Sequence, residues 1–220
     1  MKSYRIIEIG GNFEIDTLYD SIISNPFNDK SGFIVDKKRT DFIEAVHFFK
    51  KIYQMNILSP IGEESSVTYH DYIKTVFKII SCNDRKFIIV INPPKESRVF
   101  NDDIKKTLPI FSFLKSINPE PIKLYEKLKQ EGFNIDVTDL DISNININNR
   151  GLARITFSSD KDIYNDAINF VDNNKFIVKS LSMNINNNNY SGKCKISSNG
   201  NLKLTSYNDA IINAYLSIST

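Results

Sequence analysis

The stretch 74–94, KTVFKIISCNDRKFIIVINPP, constrains this chain more than any other. Two runs rich in β-branched and aromatic residues flank Asn83-Asp84, and the second ends at Asn92-Pro93-Pro94. Strand, two-residue turn, strand and a proline stop that cannot extend a ladder make up a β-hairpin signature. A two-residue turn sets the register. It puts Cys82 opposite Arg85, Ile80 opposite Phe87, Lys78 opposite Ile89 and Val76 opposite Ile91. The other face then carries Phe77, Ile79, Ile88 and Val90. Both faces are largely apolar, which is expected of strands buried in mid-sheet rather than of a pair with one wet side. The hairpin identifies a core and no chemistry.

A pair that is apolar on both faces needs neighbours at its edges, and this decides the reading of 42–53. Asp41 with Glu44 resembles a capping box, and Phe42, Ala45, Val46, Phe49, Ile52 and Tyr53 fit a helical stripe. Phe, Ile, Val and Tyr nevertheless dominate the run, which favours a strand. The hairpin's demand for neighbours selects the strand. Residues 67–72 read as the start of a long strand that continues into the hairpin.

Around this core, 4–9 reads as a strand closed by Gly10-Gly11. That pair lacks the third glycine and the Lys-Ser/Thr of a phosphate loop, so it reads as a turn. An amphipathic helix follows over 13–24, stopped by Asn25-Pro26, then a strand over 33–35 and a charged turn over 36–40. Residues 59–64 form a loop. Asn101 or Asp102 caps a helix with Ile104, Leu108, Phe111 and Leu114 in register, bent or split by Pro109. A second helix spans 118–132, with Asn118 as cap, proline in the first turn and Gly132 at the end.

Alternation returns over 133–148, breaks at 149–151 and resumes over 152–157. A helix over 160–172 leads to strands at 176–186, 193–198 and 202–206, the last two joined by Asn199-Gly200. The tract 186–189 is a loop. Asn208 or Asp209 caps a final helix. The expected fold class is α+β: mainly antiparallel sheets with a few packed helices, in two sub-domains. The expected division is a β-rich N-terminal domain over 1–100 built on the 74–92 hairpin, a helical connector over 101–132 and an α+β C-terminal domain over 133–220. A shift from phenylalanine to Asn and Ser after the helical section supports it.

Composition narrows the function classes only a little. A net charge of +2 neither demands nor excludes a polyanionic partner. The longest apolar run, FIIVI, is strand-sized, so no membrane partner is expected. The N-terminus shows no sustained apolar segment and no small-residue cleavage site, hence no signal peptide is expected. Cys82 and Cys194 are far apart and lack metal or redox spacing, which suits a cytoplasmic protein with two unpaired thiols. Asparagine makes up roughly one residue in nine, and codon bias explains that excess more simply than function does.

Three groups offer chemistry. His47 and His70 are the histidines, but no HExxH, HxH or Cys-His spacing accompanies them. A cross-strand pairing of the two is one arrangement that would make a site. Asp139 and Asp141, near Asp136, share a strand face as two metal-binding carboxylates of a nuclease would. The simpler reading makes them edge-strand acids that discourage edge pairing. Lys37, Lys38 and Arg39 with Arg85 and Lys86 form a positive rim if both turns lie at one end of a sheet. The simpler reading there is solvated turns.

No nucleophile elbow, Walker or Rossmann fingerprint, kinase set or zinc ribbon occurs. The expectation is a non-catalytic interaction subunit of a bacterial cytosolic complex, with another protein subunit as partner and no cofactor. The biased composition suggests a role in conflict with phage. A nucleic-acid-binding protein using the basic turns, and a metal-dependent nuclease using Asp139 and Asp141, are the alternatives.

Overall fold

A computed structural model describes residues 1–58, 60–62, 64–147, 151–171, 175–187 and 190–218. The expected break at 149–151, the tract 186–189, the loop 59–64 and the end of the 160–172 helix fall partly outside these. Among the described residues there are eleven strands and five helices, and the strands pair antiparallel. The chain gathers into two compact units, Glu8–Lys115, and Met1–Ile7 with Ser116–Thr220. Strand β1 (Lys2–Gly10) contributes to both.

In the Glu8–Lys115 unit, α1 (Ile15–Ile23) precedes a meander of β2 (Ser31–Lys38), β3 (Phe42–Leu58), β4 (Glu64–Cys82) and β5 (Arg85–Ile91), neighbours in that order. The run 42–53 is strand, as the hairpin's need for neighbours requires. Asn83 and Asp84 both have positive φ, 50° and 60°, the conformation that a two-residue hairpin turn needs. The register is the expected one, from Cys82 opposite Arg85 to Val76 opposite Ile91. Phe87, Ile88, Ile89 and Val90 are all buried, so β5 is dry on both faces. On β4, Phe77 and Ile79 are buried, whereas Val76, Lys78 and Ile80 are half-buried. Lys78 accounts for the difference. Its ammonium must keep access to water, and it reaches over the Phe42 ring at 4.1 Å toward Glu44 at 3.7 Å.

Three local expectations need correction. First, β2 runs on to Lys38 with an irregularity between Val35 and Lys37, so Lys37 and Lys38 are strand residues and only the end of 36–40 turns. Second, α2 (Arg98–Thr107) starts before Asn101 and stops at Thr107, because Leu108 ahead of Pro109 is extended (ψ 143°). Phe111 therefore lies in a loop at φ 68°, and Leu114 lies in β6 (Phe113–Ser116), which pairs with β1. Third, Asn118 does not cap the next helix. In α3 (Pro121–Gln130) the proline itself opens the first turn after Glu120, with no side-chain cap.

The other unit has the order β1, β11 (Asn201–Leu204), β10 (Tyr190–Ser197), β9 (Ile177–Asn187), β7 (Asn134–Ile147), β8 (Gly151–Ser158). With α3 it holds α4 (Tyr164–Phe170) and α5 (Asp209–Ser217). The turn at Asn199-Gly200 joins β10 to β11 as expected. Gly200 has φ 80°, and a Cβ there would sit 2.0 Å from the Ile117 carbonyl oxygen, so no other residue fits. Asn208 supplies the α5 cap, its Oδ1 accepting from the Ile211 N–H at 3.0 Å. The Tyr215 hydroxyl on α5 donates to the Gly200 carbonyl at 2.9 Å and ties the helix to that turn. Cys82 and Cys194 are both free thiols, and burial pushes Cys194 up to about 12. Among the described residues no helix is long and apolar enough to cross a membrane.

Candidate functional site

Among the described residues, the outer halves of β3 and β4 have no strand neighbour but each other. β2 pairs with β3 between Ile43 and Phe49, and β5 pairs with β4 between Val76 and Cys82. The β3–β4 pairing nevertheless continues without a register shift from Phe42 opposite Ile80 to Leu58 opposite Glu64. The result is a two-stranded ribbon extending roughly 30 Å beyond the meander at about 3.4 Å per residue. All of 64–72 is exposed, and in 52–58 only Tyr53 is partly covered.

The two faces of this ribbon differ in kind. Tyr53 opposite Tyr69, Met55 opposite Val67 and Ile57 opposite Ser65 share one face. The Tyr53 and Tyr69 rings stack at 5.0 Å and 11°, while Met55, Ile57, Val67 and Tyr69 are each between 44% and 51% exposed. The opposite face shows Gln54 with Thr68 and Asn56 with Ser66, flanked by Ile52 with His70 and Leu58 with Glu64. Along β3 the apolar face continues that of Ile43, Ala45 and His47, all buried in the meander. A charged row, Lys51 opposite Asp71, separates the buried part from the ribbon, with the Lys51 ammonium 4.9 Å from the Tyr53 ring centre, and beyond it the apolar side chains are exposed.

His47 belongs to the core. Its ring lies 5.0 Å from Phe33 and 5.6 Å from Phe100, and it is 1% exposed. Burial lowers its pKa more than neighbouring Asp103 raises it. The neutral imidazole therefore presents Nε2–H to Asp103 Oδ2 on α2 at 2.9 Å. Lys106 donates to the other carboxylate oxygen at 2.7 Å. Burial raises the pKa of Asp103, but hydrogen bonds from Lys106, His47 and Ser31 outweigh it and leave the carboxyl below its ordinary value. With both oxygens engaged, Asp103 ties α2 to β3. A cleft of about 250 Å³ beside it is lined by Asn25, Asn28, Ser31, Asp103 and Lys106, among others. No local pattern marks Asp103 as the partner of His47, since the two lie fifty-six positions apart.

His70 is elsewhere. It sits on the ribbon opposite Ile52, edge-on to Tyr72, whereas His47 is opposite Thr75. Five strand positions, roughly 17 Å, separate the two rows, so the histidines do not meet across strands. Asp139 accepts from the Ser158 hydroxyl at 2.8 Å. Asp141 is gripped by both Nε and Nη2 of Arg154, which holds its carboxyl below the usual range. Both acids are thus engaged within the β7–β8 pair. Among the described residues no group of three or more His, Cys, Asp or Glu is placed to hold a metal ion.

The two basic clusters, at the end of β2 and the start of β5, do lie at one end of the meander, opposite the ribbon, because Phe42 pairs with Ile80 and the Ser81 N–H reaches the Asp41 carbonyl. Their charges are partly spent. Lys38 pairs with Asp16 at 2.7 Å and lies over the Tyr19 ring, and Arg85 pairs with Glu8 at 2.8 Å. Lys37 and Arg39 lie over Phe42, and Lys86 over Phe13. A second cleft, of about 320 Å³ between the α3 entry and β9, is lined by Pro119, Pro121, Phe176 and Val178 among others. No protein-family model matches the chain, and no curated protein matches it.

Proposed function

We propose that this chain is a non-catalytic interaction subunit of a protein complex, and that the β3–β4 ribbon is what its partner binds. One observation carries this reading: the apolar face of Tyr53, Met55, Ile57, Val67 and Tyr69 stands exposed on an element that serves no core. Clustered apolar exposure of this kind, rimmed by polar residues, marks protein-binding surfaces. The stacked tyrosines and Met55 are the residue types that anchor such interfaces. Lys50, Lys51 and Lys74 share these strands with Glu64 and Asp71, a net charge of only +1 that suits a protein partner better than a polyanion.

The test is recovery of a stoichiometric partner with tagged chain from the native host, repeated with Met55→Glu and Ile57→Glu. Each substitution is expected to weaken capture about tenfold or more while leaving the far-ultraviolet circular dichroism unchanged. Undiminished capture by both variants would overturn the assignment. A nucleic-acid reading draws on the shared position of the two basic clusters. It requires binding to generic duplex DNA that falls steeply with salt and that Lys37→Glu with Lys86→Glu abolishes.

A further inference from the structure

The β4 side of the ribbon is a bare sheet edge. β5 stops covering β4 at Val76, where Asn92 turns into the left-handed region (φ 47°) and Pro93-Pro94 cannot extend the ladder. From Glu64 to Lys74 this side of β4 meets no other strand among the described residues. Proteins usually guard such an edge with proline, a bulge, shortness or charged side chains, and of these only the charges of Glu64, Asp71 and Lys74 are present here. This stretch, ESSVTYHDYIK, has no proline or glycine, and its pairing with β3 runs without a bulge.

We propose that this edge pairs with the same edge of a second copy of the chain, antiparallel, about a two-fold axis through Tyr69. The proposal rests on the ribbon being an interaction element, but it uses the edge rather than the face. Alternation limits the registers to those that keep each face with its own kind. Centring on Tyr69 sets Glu64 against the second copy's Lys74 at both ends, with Thr68 against His70 between them. Centring one position earlier sets Glu64 against Tyr72, and one position later sets Lys74 against Ser66. Of these three registers only the one centred on Tyr69 pairs every residue of 64–74 and joins its charged ends, setting Val67 against Asp71 within; Thr75, also beyond β5, is buried at the root. Among the described residues neither Glu64 nor Lys74 has an ion pair, and the Lys74 ammonium lies 5.9 Å from the Phe48 ring centre. Both side chains are exposed. A two-fold axis perpendicular to the sheet keeps both apolar faces on one side. The four-stranded product carries Tyr53, Met55, Val67 and Tyr69 of both copies on a single surface, so the partner of the complex meets a doubled platform.

Sedimentation velocity across micromolar concentrations is expected to show a species of twice the 25.2 kDa chain mass. Glu64→Lys places lysine against lysine twice, and Lys74→Glu places glutamate against glutamate twice. Each is expected to weaken dimerisation about tenfold. The double variant Glu64→Lys/Lys74→Glu restores opposite charges and the dimer, and mixing the two single variants yields a heterodimer. A monomeric wild type, single variants that dimerise like the wild type, or a double variant that stays monomeric each overturns the proposal. Met55→Glu lies on β3, away from this edge, and is expected to dimerise normally while losing the partner. A dimer that survives with partner capture untouched by Met55→Glu therefore refutes the face and not the edge. Monomeric chain that still captures its partner refutes the edge and not the face.

Discussion

His47 and Asp103 show how one contact can decide whether a titratable side chain is reactive or structural. Folding holds the His47 pKa below its ordinary value near 6.5. As pH falls below that value the unfolded chain takes up a proton before the folded one does. Stability is therefore full above this range and declines with acidity. Asp103 has a lowered folded pKa, so its contribution is full above the ordinary carboxylate value and is lost as pH falls further through the folded one. Urea midpoints are expected to drop between pH 7 and pH 5, and His47→Gln is expected to flatten that drop. A midpoint for the wild type that holds level over this range would count against the buried neutral imidazole. At neutral pH, Asp103→Ala removes the acceptor from a buried ring N–H and is expected to cost about 1–3 kcal/mol.

At the scale of the element, β5 is the strand with no wet side. Ile88 and Ile89 point to opposite faces and are both fully buried. Each Ile→Ala change is expected to cost about 2–5 kcal/mol in urea unfolding. Ile80→Ala on the half-buried face of β4 is expected to cost distinctly less, and near-equal losses at all three would show that β4 is sealed as well. The hairpin register could be read from its sequence because the turn dipeptide and the alternation on either side agree. The 42–53 run was ambiguous by itself, since Phe, Ala, Val and Tyr satisfy both periods. It became legible only through what the hairpin needs beside it. The ribbon was not legible in the same way. Residues 50–58 and 64–72 alternate like any strand, and their exposure depends on where β2 and β5 stop. Pro93-Pro94 announces the end of β5, but nothing in the β4 residues themselves says that they outrun it. Nor does any local pattern join His47 to a carboxylate on α2, because that contact exists only once the helix packs on the sheet.

Across the whole molecule the same two strands have two environments. Backbone amides of 76–80 and 87–90 lie in a covered meander, whereas those of 64–72 lie in a ribbon with a single neighbour, an arrangement of marginal stability in water. Hydrogen exchange in the isolated chain is expected to be slowest in the first group and much faster in the second. Protection appearing along 64–74 as concentration rises would report pairing of copies, and uniform protection from tip to base would contradict the division. The unbroken β3–β4 ladder has a mechanical corollary as well. Between Phe42 and Leu58 the ladder has no register shift, so Leu58 and Glu64 follow the direction of the packed end of the same strands. Over an arm of roughly 30 Å, a rocking of about 5° at the root swings the far end by about 3 Å, close to the spacing of successive residues along a strand. Small rearrangements beneath α1 and α2 would thus reach a bound subunit as displacements large enough to change what it touches.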